Sequence, residues 1–298
     1  MAVSSIQDGR SPGLGVEGRV RATVGDRRPQ LRRYREPRGD AGWFGPASVT
    51  WDVHAQLGPM LVGGLSALLL QSLHPLVVQG VADHSNYRED PFGRLQRTAD
   101  FIAGTTYGSS ELASASVRRV RAIHSRVEGR TPDGRPYRAD DPALLTYVHV
   151  TEVWSFLRGY QRYSNRPLLL SEKNQYLREV AVVALSLGAA DVPETTEDVR
   201  AYLRHMRPEL RKSEAAGQVV AFLLKPVKRP AVEVAAHRVI TEAAIDLLPA
   251  FARRELGLFR PHGYRLAMVR PAASVLSLTL RRRVGDPPML AASRERCS

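Results

Sequence analysis

The chain of 298 residues holds a single cysteine, Cys297, beside its last residue. An intrachain disulfide and any CxxC zinc site are thereby excluded. Lysine is nearly as scarce, at four of the 43 basic residues, so arginine carries almost all of the positive charge. Such a bias reads as a codon preference more than as a selected phosphate-binding surface. Familiar catalytic layouts are missing too: no GxGxxG follows a strand, and no GxxxxGK, HExxH or GxSxG occurs. None of the eight histidines has a glutamate three residues before it, which removes the carboxylate-bridged di-iron pattern. Alternating apolar and polar strand series and fixed-period repeats are also lacking.

The formal net charge of +13 invites a nucleic-acid reading until it is located. Residues 1–40 carry nine Arg against five acidic residues, and residues 281–298 five against two, so the ends supply more than half of the excess. The body is only mildly basic, and no nucleic-acid partner is expected of it. Residues 1–44, rich in Gly, Arg and Pro and without an apolar run of signal-peptide length, read as a disordered basic arm, and residues 286–298 as a flexible tail. A cytoplasmic location is the expectation. Residues 53–82 contain no Asp, Glu, Lys or Arg and are long enough on paper to cross a bilayer. His54, Gln56, Gln71, His74 and Gln79 interrupt the run, and Pro59 and Pro75 divide it. That pattern favours a buried central helix over a stable membrane span.

Local signals place the other helices. Asp90-Pro91 predicts an N-cap and first turn, Ser109 opens a helix carrying His124, and Asp141-Pro142 opens another through Phe156. Thr195 and Ser213 read as further caps. The stretch TPDGRPY (131–137) predicts a tight turn and a small hairpin. Together these predict an all-α, single multi-helix domain over residues 45–285 with at most one β-hairpin.

At helical spacing Val117, Val120, His124 and Val127 share a face, with Arg121 and Glu128 at its edge and Gly129 expected to close the helix. A lone imidazole on an apolar face fits a core residue hydrogen-bonded to a carbonyl. Inward histidines edged by arginines also suit haem, which needs an apolar slot, an axial imidazole and cations for its propionates. Cys297, close to the terminus, is a poor axial ligand.

The runs HPLVVQGVADHSNYREDPFGRLQRTADFIAGTTYGS (74–109) and VRAIHSRVEGRTPDGRPYRADDPALLTYVHVTE (120–152) closely resemble the MpaB-like oxygenase family, whose catalytic domain is shared with bacterial rubber oxygenases, the latex-clearing proteins. The likeness spans roughly residues 50–260. It implies a globin-like helical fold, haem b held by histidine, and dioxygen chemistry on a small apolar substrate, with an electron donor as a further partner. The family's RxxH motif matches Arg121 and His124, making His124 the implied axial iron ligand and Arg121 a propionate partner. Its RxxKT motif falls on Arg94, Arg97 and Thr98, which would line the distal side. His149 in YVHVTE matches a histidine common in the family, as a cofactor-side residue or a satisfied core imidazole.

Two departures separate this chain from the rubber-cleaving branch. Arg97 stands where those proteins have a lysine able to ligate iron, and a guanidinium offers no lone pair. Their upstream glutamate base has no counterpart in residues 53–82, leaving His74 as a candidate proton shuttle or simply a helix cap. Glu128 and Glu152, each within a turn of a histidine, are candidates to hydrogen-bond a ring nitrogen. The rival classes are a non-catalytic helical module binding nucleic acid or acidic membrane through Arg-rich termini, and a scaffold that has lost the cofactor.

Overall fold

In the computed structural model of the protein, residues 28–225 and 230–298 are described, with side chains from residue 31. Of the disordered arm expected for residues 1–44, residues 1–27 lie outside them, whereas residues 28–35 form a helix that buries Tyr34. The rest is all-α apart from one two-stranded hairpin. In order come α1 (Arg28–Arg35), α2 (Val49–His54), α3 (Leu57–Gln71), α4 (Pro75–His84), α5 (Pro91–Tyr107) and α6 (Ser110–His124). Strands β1 (Glu128–Arg130) and β2 (Pro136–Arg138) pair antiparallel around Gly134, whose φ of +84° suits glycine. Then follow α7 (Pro142–Tyr163), α8 (Leu170–Leu187), α9 (Thr196–Met206), α10 (Glu214–Leu224), α11 (Ala231–Leu247) and α12 (Ala250–Glu255). A π-helical turn (Arg265–Val269) leads into α13 (Arg270–Val284), and α14 (Pro288–Cys297) ends the chain.

The uncharged run forms the centre of this bundle. Pro75 cannot continue α3, because it lacks the N–H that the next turn requires, and the run bends by 106° into α4. Among the described residues no single helix is long and apolar enough to cross a membrane. Instead α3 is flanked by α7, α11 and α13. Its approach to α7 is set by glycine: a Cβ on Gly63 would lie 2.8 Å from the Ser155 carbonyl oxygen, and one on Gly159 would lie 2.6 Å from that of Pro59. Tyr147 seals the pair by donating its hydroxyl hydrogen to the Leu70 carbonyl at 2.7 Å. Leu69, Leu70 and Leu73 are buried there, each contributing about 1.5–3 kcal/mol of transfer free energy.

Caps sit where the sequence places them. Asp90, Ser109, Asp141, Thr195 and Ser213 each accept hydrogen bonds from the first turn of the following helix. One expected boundary differs. Helix α6 stops at His124, not Gly129, so Val127 and Glu128 leave the helical face. Gly129 lies in β1, where the Tyr137 hydroxyl would be 2.4 Å from any Cβ; close packing of the hairpin, not a helix cap, requires glycine there.

The expected flexible tail is a docked helix. In α14 the fully buried Arg296 donates to the carbonyls of Tyr34, Asp40, Tyr107 and Gly108 at 2.7–3.2 Å. These acceptors lie in three other segments, so the tail is fixed by distant groups. A guanidinium so engaged is not free to bind a partner, which weakens the picture of an Arg-rich C-terminal arm.

Candidate functional site

Of the residues singled out from the sequence, Arg94, Arg97 and Thr98 lie on α5, Arg121 and His124 on α6, and His149 on α7. Helices α5 and α6 pack on each other at Gly104 and Ser116, α6 packs on α8, and α5 on α2. Neither is a close backbone partner of α3 or α7 in the way α11 and α13 are. Met60, Leu61 and Leu68 on α3 and Phe101 and Ile102 on α5 are half-buried, whereas Leu65 packs against the core cluster of α11 and α13. Met60 and Ile102 pack against one cluster that includes Val150, Val153 and Phe156 of α7. An apolar surface thus joins α3, α5 and α7.

His149 stands on the α7 side of this region. Its Nε2 is enclosed and has no hydrogen-bond partner, and burial pushes the imidazole down to about 4. Glu152 follows one turn later. No hydrogen bond or ion pair holds its carboxyl, and burial pushes it up to about 7. Neither proton form therefore dominates at neutral pH. Its charge acts on the buried Tyr176, whose hydroxyl is 3.1 Å from Nε2 of His54; Nδ1 of His54 is 2.8 Å from the Thr106 hydroxyl. His54 is thus a satisfied core imidazole, and His149 is not.

His124 ends α6, half-buried, with no hydrogen bond to its ring. Burial lowers its pKa, and the charge of Asp140 opposes that shift. The proposed assistance from Glu128 is absent, because β1 carries that residue away and Arg138 pairs with it at 2.7 Å. Arg121 donates to the Ser186 carbonyl at 3.0 Å and so closes the end of α8. No hydrogen bond joins Arg121 to His124.

The three residues of the RxxKT-like stretch separate. Arg94 is half-buried, and its guanidinium has no hydrogen bond or ion pair; burial lowers its pKa, with the charge of Tyr87 opposing. Arg97 is 57 % exposed and pairs with Asp90 at 3.2 Å. Thr98 is exposed and donates to the Arg94 carbonyl. Although 94, 97 and 98 share a helix side, only the arc holding Arg94 turns inward. His74 is buried against Tyr147, 5.0 Å between ring centroids, and makes no hydrogen bond or ring contact with His124 or His149. Burial pushes it down to about 4, so it is neutral at pH 7 and a weak proton acceptor there.

Among the described residues no group of three His, Cys, Asp or Glu side chains could hold a bare metal ion. Haem makes a smaller demand, since the macrocycle supplies four nitrogens and one imidazole suffices. The enclosed, unpartnered Nε2 of His149 is the group that fits this demand, and His124 and Arg94 likewise make no hydrogen bond through their side chains. Sequence reasoning singled out those three but saw Glu152 only as a partner for His149, because its isolation depends on what α3, α5 and α8 fail to offer it.

The family model described as ER-bound oxygenase mpaB/B'/rubber oxygenase, catalytic domain, matches residues 51–278. No curated protein and no solved structure matches the chain.

Proposed function

The chain belongs to the family of mpaB and rubber oxygenase catalytic domains, and from that premise we propose that it is a haem b-dependent oxygenase acting with dioxygen on a small apolar substrate or secondary metabolite. One observation within the family's matched region carries the reading: Nε2 of His149 is enclosed without a partner on α7, whose apolar cluster Met60 of α3 and Ile102 of α5 pack against.

His124 would hold the haem iron and Arg94 would pair with a propionate. When bound, haem supplies the iron that activates dioxygen. Asp140, whose charge acts on His124, would favour a more basic ring. His149, neutral at pH 7, would offer a hydrogen bond from its enclosed Nε2. Glu152 provides the carboxyl that residues 53–82 lack and is poised to take or give a proton near neutrality. The half-buried side chains of α3 and α5 would exclude water and select an apolar substrate.

Purified protein, reconstituted with haem, is expected to show a Soret band and one haem per chain by pyridine haemochrome assay, with substrate-dependent oxygen uptake from a panel of apolar alkenes. Protein that stays colourless after reconstitution would overturn the cofactor assignment.

A further inference from the structure

On the far side of α7, one buried carboxylate is outnumbered by arginines. Asp246, at the end of α11, is fully enclosed and accepts from Arg162 at 2.5 Å, Arg265 at 2.8 Å and Arg270 at 2.9 Å. The π-helical turn makes that convergence possible. At 3.6 residues per turn, residues five apart diverge by about 140°, whereas the Arg270 N–H donating to the Arg265 carbonyl widens the turn and brings both arginines to one side. Arg253 donates to the carbonyls of Leu248 and Asp246.

These bonds saturate Asp246 but leave positive charge over. Arg158, half-buried one turn before Arg162, has no hydrogen bond or ion pair. Of the charged groups acting on it, Arg162, Arg253 and Arg200 are positive and only Asp246 is negative. Nε of Arg265 is enclosed without a partner. Five guanidiniums therefore surround one carboxylate. A clasp joining α7, α11 and the π turn would need three of them; Arg158 makes no bond in it and faces three like charges against one opposite. Nearby, Tyr163, on which the charges of Asp246, Arg162 and Arg270 act, lines a surface cleft with Asn165, Ser277 and Arg281. Arg158 lies nine residues beyond His149, about half a revolution around α7, so the cluster is separate from the haem-side region.

We propose that Arg158, Arg162, Arg253, Arg265 and Arg270, set around Asp246, form a binding site for a phosphate-type oxyanion. A tetrahedral dianion offers acceptors to several guanidinium forks at once and offsets half of the excess charge. The anion is a free phosphate or phosphomonoester, or the headgroup of an anionic phospholipid.

The test compares full-length wild type with Arg158→Leu, a change that removes no hydrogen bond and leaves the Asp246 clasp intact. Thermal unfolding and calorimetric titration are run in sodium phosphate and in sodium chloride of equal ionic strength. Co-sedimentation is measured with phosphatidylcholine vesicles with and without phosphatidic acid. Wild type is expected to gain stability in phosphate beyond chloride, and Arg158→Leu to bind about tenfold or more weakly. Without phosphate the variant should unfold no earlier than wild type, because an uncompensated charge has been removed. Phosphate binding that the variant loses identifies a free anion, and vesicle binding that the variant loses identifies a lipid headgroup. No response in either arm, or equal responses from the two proteins, would overturn the proposal.

Discussion

Two sides of α3 obey different rules. Toward α7 the helix is packed to the backbone, where Gly63 and Gly159 leave no room for a methyl group. One residue on, a Cβ at Gly64 would meet only the Phe156 ring edge at 3.6 Å, and Met60, Leu61 and Leu68 stay half-buried. The histidines repeat the contrast: both ring nitrogens of His54 are engaged, whereas Nε2 of His149 is enclosed with no partner. Buried polar groups are ordinarily satisfied because an unmade bond costs about 1–3 kcal/mol. His149 is an exception to that rule on the side where α3 is not packed to the backbone.

The sharpest way to break this comparison is to crowd the tight side. Gly159→Val should destabilise the protein by more than about 3 kcal/mol in urea unfolding, since the side chain must displace the Pro59 backbone. Glu152→Gln comes next. Its carboxyl keeps a proton in the fold between pH 4.5 and about 7 that the unfolded chain releases, so wild-type stability falls as pH rises through that window. The variant should lose this slope and gain about 3 kcal/mol at pH 8. An unchanged slope would mean that the carboxyl is not isolated.

His54→Leu should cost about 2 kcal/mol at pH 7 by stranding Thr106 and Tyr176, while His149→Leu should cost close to nothing. The second variant should also resist acid better. A histidine held down to about 4 contributes stability that is complete above its unfolded pKa and is lost as pH falls from 6.5 toward 4. The smallest effect is Gly64→Ala, expected to stabilise by up to about 1 kcal/mol through helix propensity, with Gly63→Ala moving the opposite way.

Much of the helical frame is legible from local chemistry. Asp90, Ser109, Asp141, Thr195 and Ser213 cap helices because a side-chain oxygen reaches backbone donors within its own turn. Features made by distant residues are not legible in this way. Arg296 looks like one more basic residue near a terminus until carbonyls from residues 34, 40, 107 and 108 surround it. Glycine after α6 suggests a helix end, yet the Tyr137 ring explains it. At the candidate site, periodicity groups Arg94, Arg97 and Thr98 but cannot say which arc turns inward. The two charge anomalies, Glu152 without a cation and Arg158 without an ion-pair partner, are visible only once every neighbouring element is in place.

The most direct test of the account is the absorption spectrum of the haem-reconstituted protein, ferric and dithionite-reduced, for wild type, His124→Ala and His149→Ala, each with and without added imidazole. Loss of the Soret band in His124→Ala, its return with imidazole, and its persistence in His149→Ala are the expected results. A band that survives His124→Ala unchanged and disappears in His149→Ala would contradict the assignment of the axial ligand.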